Sequence, residues 1–276
     1  MIRKIAFIKL GGSLITDKSR PYTEKQDVIS RLAEEIKEIL KLRPEMSFVL
    51  GNGAGSFAHP SAAKYRTKEG FLNKNSRYGS CIVQNDAVVI NRIVVNEFLK
   101  KKVPVMGVSP HAFMLSASRG LKSIWLEQVS QMLEKKVIPV VHGDVLIDED
   151  QGVSIFSCDK VLQLMAKNLD LGLWQKTFFV SVGNFPGVFD KKNKVVKKLT
   201  PRVFNKLIKE GAFVQAGHVD VTGGMETKIE ELAEISKLGI RALVIDGRDY
   251  GSLKKLFLED RVVGTELKGW GLTKSR

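Results

Sequence analysis

Apolar runs of strand length alternate with segments of helical periodicity along almost the whole chain, and this alternation constrains the fold more than any other feature. KIAFIKL, residues 4–10, is a buried-strand candidate, and EKQDVISRLAEEIKEILKL after it carries Val28, Leu32, Ile36 and Ile39 at helical spacing. MSFVL and a helix after Gly55 repeat the order. Then come a helix from about Ser80 to Lys101, the strand VPVMGV, a helix near Ile124 to Lys135 and the strand VIPVV. VLIDEDQGVSIF reads as a hairpin turning at DEDQG. A helix from about Asp159, the strand KTFFVSV, helices from about Pro201 and from Met225 to Leu238, and the strand IRALVI complete the series. The expectation is an α/β fold with a mostly parallel central sheet sandwiched by helices. With no internal repeat or low-complexity linker, all 276 residues are expected to form one domain, with an internal division near residues 175–180.

Composition narrows the function classes. The net charge of +14, from 44 basic against 30 acidic residues, raises nucleic acid, a membrane surface or an anionic substrate as partners. The lysines fall in scattered doublets without interleaved aromatics, which favours a solvated basic surface over a nucleic-acid platform. Cys81 and Cys158 are far apart and in no C-x-x-C arrangement, so neither a disulfide framework nor a zinc site is indicated. The basic start MIRKIAFIKLGGS leads into a glycine turn rather than a cleavage site, and no segment approaches the roughly 20 apolar residues of a membrane span. A cytoplasmic protein without membrane insertion is expected.

Two strands end in glycine. KLGGS closes the first strand and GNGAGSFAHP the second, and each runs on into a helical segment, where backbone N–H groups and a helix dipole can hold an anion. Gly51, Gly53 and Gly55 are not a dinucleotide fingerprint, since the last glycine is missing and the turn follows the second strand. No G-x-x-x-x-G-K-[ST] occurs, which excludes an ordinary P-loop. Neighbouring parallel strands present their carboxyl ends side by side, where ligands of such sheets bind. Two anion cradles at one sheet edge suggest a phosphate donor and a phosphate acceptor, hence phosphoryl transfer. Lys9 at the end of the first strand, Lys18 in ITDKSRPY and Lys228 after VTGGMET are candidate cations for the transferring oxygens.

IKLGGSLITDKSRPYT, GAGSFAHPSAAKY, IPVVHGDVLID, DVTGGMETKIEEL and VVGTEL together resemble the isopentenyl phosphate kinases of the amino acid kinase superfamily, in order and over nearly the whole chain. The resemblance implies the amino acid kinase fold, with an N-terminal lobe to about residue 175 for the acceptor and catalysis and a C-terminal lobe from about 176 for the nucleotide. It implies transfer of the ATP γ-phosphate to isopentenyl phosphate with Mg2+, by a homodimer. By position, Lys9, Gly11, Gly12 and Ser13 would hold ATP phosphates, joined by Gly55, Gly223 and Lys228. Lys18 would stabilise the transition state and Asp159 would orient the lysines. Gly53, Ala54, Gly55 and Cys158 would hold the acceptor, whose tail would lie among helices around residues 70–100.

His59 follows the second turn. If its helix starts near Gly55, the side chain lies one turn in and points back toward the cradle, where an imidazole N–H can donate to a phosphate monoester. His142 in VVHGD reads as structural, and His111 and His218 have no motif. The sequence also departs from the family pattern. Asn52 stands for a histidine, Ala54 and Ala58 for glycines, SCDK (157–160) for SGDD, and GNFPG (183–187) for an acidic loop. A left-handed Ala54 would strain the cradle. Two other readings therefore stay open: a related kinase acting on another small phosphate or phosphonate, and a nonenzymatic ligand-binding descendant.

Overall fold

The structure is a computed structural model that describes residues 3–172, 174–213 and 224–271. In chain order the elements are β1 (Lys4–Leu10), α1 (Gly12–Ile15), α2 (Gln26–Leu42), β2 (Met46–Asn52), α3 (Ala58–Tyr65), α4 (Lys74–Lys100), β3 (Val105–Gly107), β4 (Met114–Ala117), β5 (Gly120–Ile124) and α5 (Glu127–Glu134). The second half adds β6 (Ile138–His142), β7 (Asp144–Asp148), β8 (Gly152–Phe156), α6 (Cys158–Asn168), β9 (Lys176–Gly183), β10 (Lys198–Leu199), α7 (Pro201–Lys209), α8 (Gly224–Lys237), β11 (Arg241–Asp246), α9 (Ser252–Glu259) and β12 (Gly264–Leu267).

The eight-stranded sheet runs β10-β12-β11-β9-β1-β2-β6-β3. Its core β11-β9-β1-β2-β6-β3 is parallel, and β12 turns antiparallel to β11. The strand β1 is central, paired with β2 on one side and β9 on the other, so one sheet joins the two halves of the chain. Residues Ile5 to Leu10 are all buried, as expected for a strand covered on both faces. Alternation divides them. Ile5 and Phe7 join Val161, Leu162 and Met165 of α6 in one core, whereas Ala6 and Ile8 join Leu32, Ile36 and Ile39 of α2 and Val94 of α4 in the other. A smaller sheet, β5-β4-β7-β8, lies beside the carboxyl end of β6.

Three expectations shift. The long helix starts at Lys74 rather than near Ser80, because Asn73 accepts from the Ser76 amide while the Ser76 hydroxyl accepts from the Asn73 amide, a capping box. The helix expected near Ile124 starts at Glu127, and Ile124 instead closes a strand over 120–124, turned back on β4 by Ser118 and Arg119, both at positive φ (47° and 63°). This turn type ordinarily shows itself through Asn or Gly, and neither occupies its central positions. The helix after the second glycine turn starts at Ala58, not near Gly55.

Candidate active site

Strand alternation aims Lys9 at α6. It shares the face of Ile5 and Phe7, so its ammonium meets the first turn of that helix, where Nζ lies 2.6 Å from Asp159 Oδ2. The Ser157 hydroxyl caps α6 by accepting from the Lys160 amide, and this fixes the turn that presents Asp159. Both side chains are almost enclosed, 10% exposed for Lys9 and 14% for Asp159. Burial alone would push the Asp159 carboxyl up, but Lys9 and, beyond it, Lys228 hold it below the usual carboxylate range. Burial would likewise lower the Lys9 ammonium, and Asp159 outweighs it and holds Lys9 above its ordinary value. Asp159 Oδ1 is buried without a hydrogen-bond donor, leaving one acceptor position open at the pair.

The two glycine turns abut. A Cβ on Gly12 would stand 2.6 Å from Gly55 N, and one on Gly53 would stand 2.7 Å from Gly12 N, so only glycine permits this backbone approach. Gly53 N donates to Leu10 O, and Gly11 N donates to Val182 O at the end of β9. Thr16 completes the joint, since its hydroxyl donates to Gly12 O (2.7 Å) and accepts from Ser56 N (3.0 Å). Gly55 alone in the second turn takes a left-handed φ, +54°. Asn52 and Ala54 do not, so the expected strain at Ala54 is absent, and Ala58 opens α3 as an ordinary helical residue. Ala54 instead borders a small apolar cluster of Ala58, Val83, Ala87, Val145 and Val153 between α3, α4 and the β7–β8 hairpin.

Lys18 is exposed at the tip of a loop shaped by Asp17. Asp17 Oδ1 accepts from the Ser19 amide and hydroxyl, and Oδ2 accepts from Arg20 Nε. These bonds hold the Asp17 carboxyl down at about 2. The loop is closed by Asp17 N donating to Thr23 O, and is fastened to the second turn by Tyr22 N donating to Ser56 O.

The remaining sequence candidates are placed unequally. His59 is half-buried in the first turn of α3, three residues nearer that helix's start than expected. Ser13 Oγ donates to Asn184 Oδ1 (3.4 Å), linking the first turn to the GNFPG loop. Lys228 Nζ stands 5.0 Å from the centroid of Phe185 in that loop. Cys158 is a correction of detail. Its thiol is buried against Gly51 and Leu162 in the core, where burial pushes it up, so only its backbone could face an acceptor. Gly223 and His218 lie outside the described residues.

Some residues of the region escape a linear reading. His142 is buried, with Nδ1 3.0 Å from Gly143 O and Nε2 3.4 Å from Ser109 Oγ. Asn91 of α4 donates to Asn52 Oδ1 (2.8 Å) below the second turn. His111, which no motif marks, bonds to the buried Asp144 through both its amide (3.0 Å) and Nδ1 (2.9 Å), and this carboxylate raises its pKa. Glu231, one turn past Lys228 on α8, is pushed up to about 7 by burial and then by the charge of Asp159. The spacing of Lys228 and Glu231 on one helical face was the available signal, but only with α6 known to lie opposite.

A phosphoryl group in flight needs cations and oriented donors more than covalent help. The class this fold and sheet edge define is an α/β phosphotransferase. The chain belongs to the amino acid kinase family, whose family model matches residues 4–246. Among similar proteins is the isopentenyl phosphate kinase of Methanocaldococcus jannaschii, 28% identical over 271 residues that cover 95% of this chain and 98% of that one. Another is the isopentenyl phosphate kinase of Methanothermobacter thermautotrophicus, 29% identical over 278 residues, again covering 95% and 98%. A solved isopentenyl phosphate kinase structure shares the fold with a TM-score of 0.76 at 23% identity, over 95% of this chain and 99% of that one.

Proposed function

We propose that this kinase transfers the γ-phosphate of ATP to isopentenyl phosphate. A phosphate oxygen of the acceptor attacks the γ-phosphorus, the bond from that phosphorus to the ADP oxygen breaks, and isopentenyl diphosphate and ADP leave. The observation that carries the reading is the abutment of Gly12 on Gly53 and Gly55, with Lys9 and Asp159 at the same sheet edge. Two phosphate cradles in backbone contact bring donor and acceptor within reach of each other. The near full-length similarity to two isopentenyl phosphate kinases supports the acceptor identity.

In this reading Gly11, Gly12, Ser13, Gly55, Gly223 and Lys228 hold the nucleotide phosphates, and Gly53, Ala54, Gly55 and His59 hold the acceptor phosphate. Lys9 and Lys18 meet the charge that develops on the transferring group, and Asp159 fixes Lys9. The N-terminal part of the chain serves the acceptor and the part after about residue 175 the nucleotide. The glycine turns and lysines suit a nucleoside triphosphate, whose anionic oxygens take backbone N–H groups and ammonium cations. Mg2+ when bound neutralises phosphate charge, and it would be held mainly by the nucleotide, since no group of three or more His, Cys, Asp or Glu suited to a metal is found among the described residues. The same reading includes a cytoplasmic homodimer. Exposed Val89 and Leu99 on α4 and Met106 on the edge strand β3 offer apolar surface for the second copy. Among the described residues no helix is long and apolar enough to cross a membrane.

Thermal shift tests the acceptor. A ligand at a hundredfold excess over Kd stabilises the native state by about 2.7 kcal/mol, and each kcal/mol raises Tm by roughly 2–4 °C for a domain of this size. Isopentenyl phosphate should give such a shift, inorganic phosphate a weaker one, and isopentenol almost none. Equal shifts from phosphate and isopentenyl phosphate would contradict recognition of the tail and point to another small phosphate or phosphonate.

A further inference from the structure

Tyr22 is held in a conformation it would not choose alone. Its φ of 50° lies in the left-handed region, which is strained for a bulky residue and persists only where the surroundings over-determine it. Three contacts do so. The Tyr22 amide donates to Ser56 O (3.0 Å), directly after Gly55. Its ring meets Phe57 edge-on, with centroids 5.6 Å apart and planes at 82°. Its hydroxyl donates to Asp86 Oδ2 at 2.9 Å. Tyr22 is 50% exposed, and the partial burial of its phenol and then Asp86 hold the group above its ordinary range, so it remains the donor.

Asp86 connects this residue to the far side of the acceptor region. It is buried on α4, and its neighbours Val83 and Ala87 belong to the apolar cluster bordered by Ala54. A hydrogen bond to a buried carboxylate is charge-assisted and directional, so it fixes the position of the phenol against that helix. On the other side, Tyr22 stands four residues from Lys18 within a loop that Asp17 N and Thr23 O close and that Thr16 and Glu24 bridge at its base. The loop therefore has two anchors away from its base: the second glycine turn and α4.

We propose that Tyr22 and Asp86 form a positioning pair that holds the Lys18 loop in register with α4 beside the second glycine turn, setting the rate of transfer rather than the binding of either substrate. The inference rests on the kinase reading for the role of Lys18. Neither side chain needs to touch the reacting atoms. Their hydrogen bond spans 64 residues of sequence and joins the Lys18 loop to a helix of 27 residues. Losing it lets the loop sample other positions, and small misplacement of a transition-state cation costs rate steeply.

Tyr22→Phe keeps the ring against Phe57 and deletes only the hydroxyl. The variant should lose about tenfold in kcat while both KM values stay within about twofold. Asp86→Ala should match it, and Asp86→Asn, which keeps an acceptor oxygen, should recover most of the rate. In a Lys18→Ala background Tyr22→Phe should cause no further loss, because residues acting through one another are not additive. Losses that multiply in the double variant, or unchanged kcat in Tyr22→Phe, would overturn the proposal. A readout independent of turnover separates this from failure of the kinase reading. Amide exchange over residues 17–23 should quicken in Tyr22→Phe and Asp86→Ala but not in Asp86→Asn. If the wild type does not phosphorylate isopentenyl phosphate, the functional reading fails, and unchanged exchange in Tyr22→Phe overturns the positioning pair separately.

Discussion

Gly12 lies against Gly55 so closely that a Cβ on Gly12 would stand 2.6 Å from the Gly55 amide nitrogen and 2.8 Å from its Cα. Neither neighbour is a flexible side-chain end, so Gly12→Ala must push the two turns apart. Displacement of about 1 Å between reacting groups costs on the order of 100-fold. Gly12→Ala should therefore lower kcat/KM by about that much, with far-UV circular dichroism unchanged. Gly11→Ala, whose Cβ would meet Val182 O at 3.0 Å, should lose less. Steady-state kinetics of both variants check this, and equal losses would contradict the abutment as the feature that matters.

The carboxylates around Lys9 predict opposite pH behaviour. Asp159 is held below its ordinary range, so the stability it contributes is present above that range and is lost as pH falls through its folded value. Asp159→Asn leaves Lys9 without its counter-charge and should cost about 3 kcal/mol at pH 7. That deficit should hold down to about pH 4 and shrink only below it, as pH falls through the folded value. Glu231, raised to about 7, behaves the other way: its favourable contribution is present in acid and is lost as pH rises through about 7. Glu231→Gln should gain Tm over the wild type as pH goes from 5 to 8. Thermal unfolding from about pH 2 to pH 8 checks both: an Asp159→Asn deficit that does not shrink in acid, or a Glu231→Gln difference that does not change between about pH 5 and 8, would contradict the assigned charges.

Lys18 and His59 should separate kinetically. Removing a donor to transition-state charge costs on the order of 3 kcal/mol, or 10²–10³ in rate. Lys18→Ala should show that loss in kcat with little change in either KM. His59→Ala should raise the KM for the acceptor more than that for ATP. An effect confined to the ATP KM would mean that the two cradles are exchanged.

The parallel sheet was legible because its strands are continuous apolar runs and its helices carry their periodicity openly. Both glycine turns were legible because a strand that ends in glycine and enters a helix has few alternatives. What stayed hidden needed a partner distant in sequence. The 2.6 Å contact of Lys9 with Asp159 spans 150 residues and depends on which face of β1 packs on α6. The His111–Asp144 and Tyr22–Asp86 bonds likewise depend on where α4 and the second sheet lie. The strand at 120–124 was missed because its turn, Ser118 and Arg119, takes left-handed angles without the residue types that announce them. At Ala54 the residue type warned of strain that the backbone does not require, since Gly55 alone of that turn carries the positive φ.

Phosphorus NMR of the purified protein with ATP, Mg2+ and isopentenyl phosphate tests the central claim most directly, because donor loss and acceptor gain are read in one spectrum. The account predicts that the monoester resonance of isopentenyl phosphate is replaced by the paired resonances of a diphosphate monoester, in step with conversion of ATP to ADP, and that neither change occurs in Lys9→Ala. ATP converted to ADP with release of inorganic phosphate and an untouched monoester resonance, or no conversion while isopentenyl phosphate still raises Tm, would contradict it.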